Sequence, residues 1–296
     1  NNITREDVIR NQLELDEGDP YSQILTKKTQ NNIKSLNFFK DVKTQIIDGK
    51  ELNSKIINFE IEEKPTGEIQ AGAGAGTEGG TVFFGVKENN YLGRGLGVDA
   101  NIALSAERFK GSLNVTDPNY KNSDKSTFIS LQTIEIDQLK NFGYKTNKTG
   151  FEIGTAFEYL EDFNLGLSTS TFVEKIDTDS TASSRQQAQA GNYLDTFVRL
   201  NFDLDKRDQK FKTSDGYRSN YNIQIPIVSD TNTITNSYNY KVYSELFENN
   251  ISSFSLFLKS ATSITGDDVK LTERLSIPSY RLRGFESGKV GPKDGA

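Results

Sequence analysis

The chain of 296 residues is long enough for one large β domain or two ordinary ones, and it contains no cysteine and no histidine. Without Cys there is no disulfide framework or thiol chemistry, and without His there is neither a Ser-His-Asp arrangement nor the commonest metal ligand, so no enzyme or metal site is expected. A formal net charge of −6 with no basic stripe sets nucleic acid aside. A hydrophobic content of only 34% is low for a soluble core of this size, yet 12 Tyr and 19 Phe do not suit a disordered chain.

In chain order, the first zone reads helix, helix, strand, strand. TREDVIRNQLEL (4–15) offers Thr4 as an N-cap, and Val8, Ile9, Leu13 and Leu15 follow helical spacing until Gly18-Asp19-Pro20 breaks it. The segment 22–39 places Ile24, Leu25, Ile33, Leu36 and Phe39 on one helical stripe, and the Phe38-Phe39 pair suits a core. Two strand-like runs follow at 41–49 and 54–64. In the second, Ile57, Phe59 and Ile61 alternate with Ile56, Asn58, Glu60 and Glu62, a half-buried pattern whose edge is available for docking.

From Gly67 the period becomes two. Leu96, Val98, Ala100, Ile102 and Leu104 share one face, against Gly97, Asp99, Asn101, Ala103 and Ser105 on the other. Such runs occur at 67–76, 81–90, 96–107, 111–117, 127–136, 150–160, 163–174, 195–204, 217–227, 236–247 and 251–262, which makes eleven strands. Most suit the roughly 9–11 residues of a transmembrane strand. Short turns at one end and longer polar stretches at 137–149, 175–193 and 228–235 favour an outer-membrane β-barrel; a soluble β-sandwich with one solvated face is the alternative. Ala71-Gly72-Ala73-Gly74-Ala75-Gly76 is either a linker or a strand that packs weakly and holds its register poorly. Asp203, Asp205, Arg207 and Asp208 read as a solvated salt-bridge turn rather than an acid/base or calcium site.

The closing stretch RLRGFESGKVGPKDG (281–295) resembles the sixth extracellular loop of the BamA family of outer-membrane protein assembly factors. Arg283-Gly284-Phe285, followed by Glu286, and Gly291-Pro292-Lys293-Asp294 carry the likeness, with Lys293 where the family has Arg. The first 65 residues resemble the POTRA domain next to the barrel, 88–95 the first periplasmic turn, and 203–218 a turn formed by Asp205, Arg207, Asp208, Gly216 and Tyr217.

The resemblance implies a mainly β fold: a POTRA domain at 1–65 and, at 66–296, part of an antiparallel barrel of about sixteen strands. It implies a piece lacking the POTRA's first strand and the last barrel strands. The implied location is the outer membrane, with the POTRA in the periplasm. The implied work is folding and inserting β-barrel clients at a lateral seam formed by Ile69, Ala71, Gly72, Ala73, Gly74 and Ala75. The implied partners are unfolded β-barrel clients, accessory lipoproteins, membrane lipid and lipopolysaccharide, with no cofactor. Arg283 would anchor its loop to a carboxylate on the barrel wall. A two-partner-secretion exporter of the same superfamily is the rival within the resemblance.

Overall fold

The computed structural model describes residues 3–51, 53–76, 79–209, 213–248, 250–275 and 277. Helices α1 (Glu6–Arg10) and α2 (Gln23–Ser35) pack with a hairpin of β1 (Phe39–Asp48) and β2 (Lys55–Glu63) into a small N-terminal unit. Eleven strands then form one antiparallel sheet in sequence order. They are β3 (Gly67–Gly76), β4 (Gly79–Tyr91), β5 (Leu96–Ser105), β6 (Arg108–Asp117), β7 (Lys125–Gln138), β8 (Tyr144–Leu160), β9 (Phe163–Thr178), β10 (Gly191–Arg207), β11 (Gly216–Ser229), β12 (Thr233–Phe247) and β13 (Asn250–Ser263). Short helices α3 (Leu139–Phe142) and α4 (Ser184–Gln187) lie in two connections. Among the described residues no helix is long and apolar enough to cross a membrane.

The core of the N-terminal unit is Ile33, Phe38, Phe39 and Val42, with Val8, Ile9, Leu36, Phe59 and Ile61 packed on it. Each large side chain so enclosed contributes about 1.5–3 kcal/mol. Ser22 starts α2 by accepting the Leu25 amide. Ile24 lies off the buried stripe and is 81% exposed, because that stripe runs through Thr26, Thr29 and Ile33. Helix α1 is shorter than the apolar spacing suggests, and its N-cap is Arg5 rather than Thr4. The Thr4 hydroxyl is committed elsewhere: it is buried and accepts the side-chain amide of Asn90 at 2.8 Å.

In the large sheet, register assigns the faces. Opposed residues such as Asp99 and Asn114, Ser130 and Glu152, and Asn201 and Asn222 share a polar face, laced by Arg199 Nη1 to Glu152 Oε1 at 2.7 Å and by Asn201 Nδ2 to Asn222 Oδ1 at 2.9 Å. The opposite face exposes Val82, Phe84, Ile102, Leu104, Ile129, Leu131, Phe151, Ile153, Phe254 and Leu258. An apolar exterior and polar interior is the inverse of a soluble sandwich and suits a sheet closed against lipid.

The expected loops at 137–149 and 228–235 are largely strand. Strands β8, β9 and β10 run for 17, 16 and 17 residues, against 10 each for β5 and β6, and leave connections of only 139–143, 179–190 and 230–232. The extra length is polar on its outer side as well, with Lys145 Nζ 2.7 Å from Glu135 Oε1 across the β7–β8 pair. Over Lys145–Thr149 polar residues on both faces erase the period-two signal while leaving the backbone ladder intact, so this stretch looks like a loop in the sequence.

The N-terminal unit is tied to the turn between β4 and β5. Arg5 donates its amide to the Gly93 carbonyl at 2.8 Å, and Asn90 Oδ1 accepts the Gly95 amide at 2.7 Å while its Nδ2 reaches Thr4. Gly93 has a φ of +69°, and a Cβ there would fall 1.8 Å from the Ile3 carbonyl oxygen. Gly93→Ala should therefore cost about 1–3 kcal/mol at this joint. Limited proteolysis across 64–66 should run faster in the variant; unchanged cleavage with an intact sheet would show that the joint does not depend on this turn.

Candidate functional site

Strand β3 ends the sheet, and among the described residues it pairs only with β4. The Asn89 amide donates to the opposed Thr66 carbonyl at 3.4 Å, and bonded and non-bonded pairs alternate along an antiparallel ladder. By that alternation Glu68, Gln70, Gly72 and Gly74 turn their backbone groups to β4. Ile69, Ala71, Ala73 and Ala75 turn theirs away from β4. The same four project side chains from the apolar face, so this face carries mostly methyl groups while the polar face is bare at Gly72 and Gly74. The Gly72 site is filled by the Phe83 ring, 2.4 Å from where a Cβ would stand; Gly74 has no neighbour within 4 Å.

Among the described residues strand β2 pairs only with β1. Gly49 donates to the opposed Ser54 carbonyl at 2.9 Å, so the alternation directs the backbone of Asn58 towards Gln45 of β1 and that of Ile57, Phe59 and Ile61 away from it. The side chains of Phe59 and Ile61 face the core, so what β2 offers outward is backbone. That edge borders a groove of about 1060 Å³ lined also by Ile9, Leu13, Leu15 and Phe39. At one end the Ile3 and Thr4 amides donate to the Glu63 carboxylate at 2.8 and 2.6 Å. Partial burial would push this carboxyl up, but the two amides outweigh that and hold it below the usual glutamate range.

The turn between β10 and β11 is more enclosed than its charge pattern suggests. Arg207 clasps Asp205 bidentately at 2.7 and 2.7 Å, with both side chains only 14% exposed, and Arg218 clasps Asp203 at 2.8 and 2.8 Å. Asp208 caps the turn by accepting the Ser214 amide at 3.1 Å. Gly216, at φ +93°, is required because a Cβ would lie 2.2 Å from the Lys206 carbonyl oxygen, and Tyr217 leans on Tyr240 with ring centroids 5.9 Å apart. The loop residues Arg283, Gly284, Phe285, Glu286, Gly291, Pro292 and Asp294 lie outside the described residues.

The turn at 88–95 is marked in the sequence, but nothing in it singles out Asn90, whose amide joins the two units, and no motif marks the buried Lys270, Glu174 and Asp195. The available signal was an ionisable side chain at an inward position of a strand, visible for Glu174 and Asp195 only once the register is known.

Residues 90–296 match the model of the Omp85 superfamily domain, and residues 1–64 match a POTRA model described as a surface antigen variable number repeat. Two curated relatives, each an outer membrane protein assembly factor BamA, are 25% identical (Neorickettsia risticii) and 23% identical (Neisseria meningitidis) over 99% of this chain. The chain spans only 40% and 39% of their lengths. The crystal structure of Haemophilus ducreyi BamA lacking POTRA domains 1–3 superposes with a TM-score of 0.81 at 18% identity, over 98% of this chain and 59% of that one. CdiB from Acinetobacter baumannii gives 0.53 at 10% identity, over 93% of this chain and 53% of that one. A POTRA-type unit followed by an ordered series of barrel strands, matched by these models over nearly its whole length, places the chain in the Omp85 superfamily, where it is similar to the BamA assembly factors.

Proposed function

We propose that this chain belongs to a protein that folds and inserts β-barrel proteins into the bacterial outer membrane, with the N-terminal unit in the periplasm. The observation that carries this reading is the make-up of β3 at the end of the sheet, where Ile69, Ala71, Ala73 and Ala75 turn their backbone groups away from β4 beside minimal side chains. Unpaired amides are costly in hydrocarbon, so such an edge gains most by pairing with an incoming strand. The incoming strand in turn never exposes its own polar backbone to lipid. Small side chains at this edge make the pairing easy to open and remake. The partners in this reading are unfolded β-barrel clients, accessory lipoproteins of an assembly complex, and membrane lipid with lipopolysaccharide. The looser likeness to CdiB supports, less well, an exporter that passes its client through the lumen.

In the full-length protein, a cysteine at Gly74, where space is open, should crosslink to one on the strand that closes the barrel, and the locked protein should lose client insertion. Full crosslinking with undiminished insertion would exclude opening at β3 and favour the exporter.

The β2 edge is proposed to add an extended client or accessory segment along the groove. Ile57→Pro removes an amide facing the groove and spares the β1 ladder, whereas Asn58→Pro removes one that faces β1. Weakened complex assembly is expected from a folded Ile57→Pro protein, and loss of the hairpin from Asn58→Pro. A folded Ile57→Pro protein that assembles normally counts against docking here.

Arg283 is proposed to anchor its loop to a carboxylate in the barrel lumen, an interaction of about 1.5–3 kcal/mol when enclosed. Arg283→Ala should impair client assembly while the barrel still inserts, and Arg283→Lys should restore only part, because an ammonium lacks the planar fork. Equal protease sensitivity of the loop in wild type and Arg283→Ala would remove the anchor.

A further inference from the structure

Beyond β13 the chain crosses the sheet end remote from the N-terminal unit and joins the β9–β10 connection. Ile264 donates its amide to the Asn232 carbonyl at 2.7 Å. Arg185 of α4 donates from Nε to Asp268 Oδ2 at 2.6 Å. Gln189 accepts the Leu271 amide at 2.8 Å and donates to the Val269 carbonyl at 3.4 Å, while Arg274 Nε donates to that same carbonyl at 2.8 Å. At the centre stands Lys270, 2% exposed. Its Nζ lies 2.6 Å from Glu174 Oε2 of β9, bonds Asp195 Oδ2 of β10, and sits 5.0 Å from the Tyr193 ring centroid. Both carboxylate residues are 0% exposed.

A buried ammonium is tolerated only with compensating charge, and buried carboxylates carry the mirror requirement. Glu174 and Asp195 share the polar face of adjacent strands, and the register sets Asp195 opposite Phe172, two residues from Glu174. They form a fixed double-carboxylate seat. Asp195 also accepts from the Thr231 hydroxyl at 3.0 Å, and Thr231 reaches Glu273 Oε1 at 3.4 Å, so the seat holds the far side of the strap as well. Burial would push the Lys270 ammonium down; the two carboxylates reverse that and keep it above the ordinary lysine range, so it is charged at any physiological pH. The strap passes β11 and β12, its nearest neighbours in the sheet, to reach a seat on β9 and β10. That reach fixes the position of the chain from which 281–296 follows.

We propose that Lys270 is a positioning residue: seated between Glu174 and Asp195, it clamps residues 264–275 across the end of the sheet and sets the point from which the Arg283 loop departs. The clamp stands on its own geometry; its value for client assembly rests on the function proposed above, and the two are read separately. In the full-length protein in cells, the neutralised variant Lys270→Met with Glu174→Gln and Asp195→Asn removes the two close ion pairs and leaves only Glu273, 4.0 Å from Nζ, whose carboxyl burial already pushes towards its neutral form. External proteinase K should cut 264–275 at least roughly tenfold faster than in wild type, as local opening becomes easier, with barrel folding unchanged by heat-modifiability on gels. Lys270→Arg should restore most of the protection, which a purely space-filling role would not give, and client assembly should fall and recover in step. Arg283→Ala should leave 264–275 protected. If the triple variant fails to insert, Gln189→Ala removes two tethers but no charge, and cleavage should rise roughly threefold. Wild-type resistance in a folded triple or Gln189→Ala variant overturns the clamp. Rapid cleavage with undiminished client assembly overturns the positioning role and leaves the clamp.

Discussion

A β-strand in hydrocarbon must pair both of its backbone edges, and the architecture follows from how this chain meets that demand. From β4 to β12 each strand lies between its two sequence neighbours, so every interior edge is closed locally and cheaply. Among the described residues β3 and β13 are left with one neighbour each. The two are not equivalent. β13 projects Phe254, Leu256 and Leu258 from the apolar face, whereas β3 projects Ile69 and then alanines. The side-chain stabilisation that cross-strand pairs give an edge is thus available at β13 and nearly missing at β3.

The same backbone logic joins the two units. Arg5 and Gly93 share a main-chain bond, and Asn90 satisfies a donor and an acceptor at once while buried. Such a contact tolerates little change, because removing one partner leaves a buried polar group unpaired. The N-terminal unit is thus held by a few hydrogen bonds at the β4–β5 turn, where Gly93 leaves no room for a Cβ, and by Asn11 Nδ2 to Asn122 Oδ1 at 3.1 Å in the β6–β7 connection.

Much of this was legible in the sequence. The alternation of Leu96 to Leu104 gave both faces of β5, and each of the eleven runs became a strand. The extension of β8 over Lys145–Thr149 was hidden, because a strand polar on both faces has no period to read. Thr4 looked like a helix cap, since a hydroxyl before an acidic turn is locally sufficient; its partner Asn90 is distant in sequence, and no local rule reaches that far. Lys270 was hidden for the same reason. Its neighbours Val269 and Leu271 are unremarkable, and the carboxylates that enclose it come from two strands brought together only by pairing.

The alternation of alanine and glycine along β3 bears on selectivity. A strand lying beside it meets methyl groups on one face and bare backbone on the other, with Phe83 of β4 the nearest bulky side chain below Gly72. Over Ala71–Ala75 nothing can sort neighbours by size, charge or hydrogen-bonding side chains. Discrimination along β3 must therefore fall to its first half, where Glu68 and Gln70 stand on the polar face and Ile69 on the apolar one, and the second half is indifferent to all but the extended shape of what it touches.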